Sequence, residues 1–136
     1  MEKLKLKDRN TASSFITVNG MEVHYRDEGK QTDTISIVLI HETGFSLHTF
    51  DMWADKLKKS NQVIRMDLPA YGLTGPFPDA NYSMRHYTSF MTEFLTALGI
   101  KECVLIGNSL GEQIACYLTL KKPIMVEKLI LIDAAG

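Results

Sequence analysis

Four almost continuously apolar runs, at residues 35–40, 63–66, 103–106 and 129–132, constrain the fold of this chain more than any other feature. A strand with one wet face alternates apolar and polar residues, whereas a run without alternation has both faces covered, as in a parallel sheet between helices. The segments between the runs have helical spacing. Phe50, Trp53 and Leu57 fall at i, i+3 and i+7, with Lys56, Lys58 and Lys59 where cations complement a helix C-terminus. Met84, Tyr87, Phe90, Met91, Phe94, Leu95 and Leu98 form a broad stripe, with Ser83 placed as N-cap and Gly99 as terminator. A third helix is expected over 114–120, ahead of Pro123. Before the first run, the stretches 15–18 and 21–25 flank Asn19-Gly20, whose residues tolerate positive φ, and so predict a β-hairpin. The order β-β-β-α-β-α-β-α-β implies a three-layer α/β sandwich, a hairpin followed by parallel βα units with right-handed crossovers.

Composition narrows the function classes. The 136 residues carry 15 Lys plus Arg against 16 Asp plus Glu, so the basic excess expected of a nucleic-acid-binding module is absent. No apolar run is long enough to span a bilayer, and the opening MEKLKLKDRN lacks the apolar middle of a secretory signal, so the expected location is cytoplasmic. Cys103 and Cys116 each sit in an apolar segment and read as buried reduced thiols; no metal site or cofactor is expected. Residues 1–13 read as a leader and 14–136 as one partial domain.

The chemistry concentrates at Gly107-Asn108-Ser109-Leu110-Gly111, which follows the third apolar run and precedes the third helix. A strand that turns sharply into a helix strains the serine backbone, and side chains on its neighbours would clash, hence the glycines. Ser109 is thereby presented at the carboxyl end of a strand, beside helix N-terminal N–H groups able to stabilise an oxyanion.

With these pieces in this order, the chain from about Phe15 onward resembles the α/β-hydrolase family, specifically the N-terminal half of the core domain in its esterase-like and haloperoxidase-like serine members. The resemblance is carried by the hairpin, the strand ending in His41, the phrase Arg65-Met66-Asp67-Leu68-Pro69-Ala70-Tyr71-Gly72-Leu73-Thr74-Gly75, the helix before Gly99-Ile100, the elbow, and the run leading to Asp133. It implies acyl transfer with Ser109 as nucleophile and with Leu110 and Thr43 as oxyanion N–H donors. His41 is expected to shape its loop rather than act as base, and Asp67 to anchor the turn after its strand.

Three departures from the family pattern qualify that expectation. Glu42 stands where a glycine usually follows His, and Glu112 where a small residue usually follows the elbow; each either opposes charge at the oxyanion site or turns out to solvent. The family's base is a late His, and His24, His41, His48 and His86 all precede the nucleophile. Asp133 is a weak candidate for the acid. Two functions follow: a serine hydrolase of small esters completed by another chain, or a silent hydrolase-fold module acting through association. A homodimer or a complementing C-terminal half is the expected partner, since the run 129–132 would form an apolar sheet edge.

Overall fold

The computed structural model of the chain describes residues 13–29 and 35–132. Six strands, β1 (Ser13–Val18), β2 (Met21–Gly29), β3 (Ser36–Ile40), β4 (Gln62–Met66), β5 (Cys103–Asn108) and β6 (Val126–Ile132), form one sheet in the order β1-β2-β4-β3-β5-β6. The hairpin β1–β2 is antiparallel and β2 joins β4 antiparallel, while β4, β3, β5 and β6 run parallel. Asn19 and Gly20 both take positive φ, 51° and 75°, so the tight hairpin turn forms where that dipeptide predicts it.

Three α-helices among the described residues cover the sheet: α1 (Asp51–Leu57), α2 (Met84–Ala97) and α3 (Leu110–Lys121). Period-two alternation divides β3, β4, β5 and β6 between two cores, while β1 and β2 contribute to one of them. Val38, Ile40, Ile64, Met66, Cys103 and Leu105 pack with Tyr87, Phe94, Ile114 and Leu118 on the α2–α3 face. Leu39, Val63 and Ile106 pack with Phe50 and Ala54 on the α1 face. This is a three-layer α/β sandwich, as the order of apolar runs and helical segments predicts.

The elements differ from expectation mainly at their ends. Ser83 caps α2 by accepting the His86 N–H, and the helix closes in a Schellman arrangement, with Gly99 N–H on Thr96 O and Ile100 N–H on Leu95 O. Strand β2 runs four residues past 25 because it must reach along β4 as well as β1. Helix α3 starts at Leu110 rather than 114, since its polar first turn is set by the elbow and not by burial. Trp53 departs from the expected α1 stripe: it is 44% exposed, and only Ala54 of the helix is buried, with Phe50 contributed by the preceding 3₁₀ turn Leu47–Phe50. Cys103 is buried, and burial pushes its thiol up to about 12; Cys116 is half-buried and likewise unpaired. No described helix is long and apolar enough to cross a membrane.

Candidate active site

Strand β5 ends at Asn108 and α3 begins at Leu110, which leaves Ser109 alone to make the turn. Its φ of 55° and ψ of −110° lie where an L-residue is strained, at a cost of about 1–3 kcal/mol. The surrounding packing enforces this. A Cβ on Gly107 would lie 2.4 Å from Gly111 O, and one on Gly111 would lie 2.1 Å from Ile40 O. Both glycines are therefore demanded by backbone approach, with α3 pressed against the end of β3.

That approach brings the β3–α1 loop to the elbow. Glu42 reaches across it: Asn108 Nδ2 donates to Glu42 Oε2 at 2.6 Å, and Thr49 Oγ1 donates to Glu42 Oε1 at 2.5 Å. The carboxylate is thus half-buried and bound at both oxygens, so it does not turn out to solvent. Glu112, in the first turn of α3, is also half-buried. Thr43 lies next to Glu42 on the exposed part of the loop, and Leu110 opens the helix.

Two buried residues hold this loop from below. His41 Nδ1–H donates to Glu42 O at 2.7 Å, and His41 Nε2 accepts the Leu68 N–H at 2.9 Å. A carbonyl on one nitrogen and an N–H on the other require the neutral Nδ1–H imidazole. Burial, the largest influence, holds the His41 pKa below its ordinary value despite the Glu42 carbonyl and the nearby carboxylates. With both nitrogens committed, His41 shapes the loop and is not poised to accept a proton.

Asp67, at the end of β4, accepts the N–H groups of Leu47 and Leu73 at 2.8 and 2.9 Å and pairs with His24 Nδ1 at 2.8 Å. Burial acts to raise its pKa, but the His24 and backbone hydrogen bonds together hold the carboxyl below its ordinary value. A Cβ on Gly72 would lie 2.2 Å from this carboxylate, so the tight turn closes directly over it. The expected turn anchor is present, and it also ties down the 3₁₀ turn that precedes α1.

None of the four histidines bonds to Ser109. His24 is held by Asp67 and Ser13, His41 by Glu42 O and the Leu68 N–H, His48 by Asp51 at 3.1 Å, and His86 by Asp79 at 3.4 Å. Asp133 lies outside the described residues. The bonds of Asn108 to Glu42 and of His24 to Asp67 join positions 66 and 43 residues apart and carry no local signal in the sequence; that of Thr49 to Glu42 spans seven residues of irregular loop with no periodic pattern.

A model of the α/β-hydrolase fold family matches residues 35–135. The chain belongs to the α/β-hydrolase family. Its relatives include the uncharacterized hydrolase YugF of Bacillus subtilis, 29% identical over 123 residues that are 88% of this chain and 44% of that protein. Another is the 2-hydroxymuconate semialdehyde hydrolase of a Pseudomonas species, 29% identical over 89% of this chain and 43% of its own length. Among solved structures, a bacterial membrane phospholipase A superposes with a TM-score of 0.86 at 28% identity, over 91% of this chain and 40% of that one. This α/β-hydrolase chain therefore spans less than half the length of these relatives.

Proposed function

We propose that this chain carries the nucleophile and oxyanion-binding part of a serine hydrolase acting on carboxylic esters or related acyl compounds. The observation that carries the reading is the positive-φ Ser109 between β5 and α3, enforced by the two glycines. In this reading Ser109 Oγ attacks the substrate carbonyl, and the N–H groups of Leu110 and Thr43 receive the oxyanion. The N–H of Leu110 supports the role because the first N–H groups of a helix have no intrahelical acceptor. Hydrolase relatives are consistent with it.

A serine hydroxyl needs a base to become an effective nucleophile, and the chain's four histidines are hydrogen-bonded elsewhere. We propose that the base comes with a complementing polypeptide segment docked at β6, since a second copy would bring only the same four committed histidines. The same histidine commitments favour a second reading, a silent module whose property is association. Fluorophosphonate treatment followed by peptide mass spectrometry separates them. A slow adduct on Ser109, lost in Ser109→Ala, with p-nitrophenyl acetate turnover near background, is the expected result for the 136-residue chain. An adduct elsewhere, or none, overturns the nucleophile assignment and leaves the association reading.

A further inference from the structure

We propose that Glu42 makes the Ser109 site selective by charge: it favours acyl compounds with a cationic group near the reacting carbonyl and disfavours those with a carboxylate there. The proposal rests on the reading of Ser109 as nucleophile and narrows its substrate class.

Three observations lead to it. First, the carboxylate is fixed in place. A glutamate on an exposed loop would move its charge over several ångströms, but here one oxygen is held by Asn108 at the end of β5 and the other by Thr49 in the 3₁₀ turn before α1. Second, both anchors are neutral, and no Lys or Arg among the described residues forms an ion pair with Glu42; Arg65, the buried cation of this side, is spent on Glu28 and Asp51. Hydrogen bonds from an amide and a hydroxyl orient the charge without cancelling it. Third, Asn108 immediately precedes Ser109, so covalent geometry keeps the carboxylate within on the order of 10 Å of the serine hydroxyl, close to one Debye length at physiological salt.

Glu112, three residues beyond Ser109, adds a second acidic residue at the same end of the sheet. The chain as a whole is nearly neutral, at −1, so the fixed Glu42 carboxylate is not part of a general acidic excess. Its consequence for acyl transfer has a definite sign. A fixed anion opposes the oxyanion that develops during attack, and a cation on the substrate offsets that opposition when it is largest. A substrate carboxylate compounds it.

Phenylboronic acids give a test that needs no histidine: the serine oxygen bonds to boron, the hydroxyl proton passes to water, and a tetrahedral adduct forms. Affinities of the 136-residue chain for a trimethylammonium-substituted and a carboxylate-substituted phenylboronic acid would be measured by NMR titration at low salt. The selectivity ratio of wild type to Glu42→Gln cancels the probes' intrinsic differences. Glutamine can still bond Asn108 and Thr49, and Glu42→Gly serves as the second variant should the first not fold.

The expected result is a preference for the cationic probe about tenfold larger in wild type than in Glu42→Gln, shrinking as salt is raised. Equal ratios in the two proteins, or a ratio that collapses in Glu112→Gln instead, overturn the proposal while binding that is lost in Ser109→Ala preserves the nucleophile. Failure of both probes to bind wild type, with Ser109→Ala no different, removes the nucleophile reading and this proposal with it.

Discussion

At the scale of single residues, the elbow is decided by two glycines and the loop beside it by one neutral histidine. Gly111→Ala places a methyl 2.1 Å from a backbone carbonyl that cannot move without shifting β3. It should cost at or above the roughly 3 kcal/mol upper end of ordinary overpacking, read as a fall in the urea midpoint. Gly75 has nothing within 4 Å of where its Cβ would stand, so Gly75→Ala should be tolerated and serves as the control. His41 gives a pH prediction. Its folded pKa lies below the ordinary 6.5 because burial opposes the charge, so below pH 6.5 the unfolded chain binds more protons than the folded one. The contribution is therefore complete above 6.5 and lost as pH falls toward the folded value. Urea midpoints should fall between neutral pH and pH 5, and His41→Asn should flatten that decline. An undiminished decline in the variant would assign it to another group. Asp67 adds a second loss with the same sign at lower pH: its contribution is present above the ordinary 3.8 and disappears as acid protonates the folded carboxyl.

At the scale of elements, α1 is the least securely built helix of the fold. It has seven residues and buries only Ala54, too little to hold a short helix by apolar contact. Arg65 supplies the missing attachment from β4. The residue is 1% exposed, and its guanidinium donates to Glu28 Oε1 at 2.9 Å, to Leu47 O at 2.9 Å and to Asp51 Oδ1 at 2.5 Å. Those bonds join β4, β2 and the start of α1. Burial works to raise the Asp51 pKa, but bonds from Arg65 and His48 hold the carboxyl below its ordinary value. Arg65→Met keeps the apolar stem and removes the donors, leaving Glu28 without its guanidinium at a largely buried position. We expect a loss of about 3 kcal/mol, with faster amide exchange concentrated in residues 47–57. Uniform exchange across the sheet would show that α1 does not depend on this attachment.

At the scale of the whole molecule, the parallel half of the sheet ends in β6, which pairs with β5 alone among the described strands. Ile130 and Leu131 are each 42% exposed, and an apolar edge of this kind favours addition of another strand. We propose that a second copy can add at this edge, with the two β6 strands antiparallel across a two-fold axis as the simplest closed form. Sedimentation of dilute protein should show a reversible dimer that Leu131→Lys dissociates. A monomer in the wild type at all concentrations would reject it.

The sequence by itself determined the layers, because buried strands must be apolar on both faces and helices must repeat near 3.6 residues, and both patterns survive in one dimension. The hairpin at Asn19-Gly20, the six strands, the cap at Ser83 and the elbow at Ser109 were legible for that reason: each is specified by residues adjacent in the chain. The helical spacing of Trp53 does not show its exposure: it meets the Phe50 ring edge-on and is still 44% exposed, because no further described element covers that side of α1 as one does for α2 and α3. What the tertiary structure decided was every contact between distant segments. It brought Glu42 onto Asn108, set His24 against Asp67 and committed His41 to Leu68, and so bound the Glu42 carboxylate beside the end of β5 instead of leaving it in solvent. Those choices depend on strand order and on the direction of single side chains, which no local pattern records.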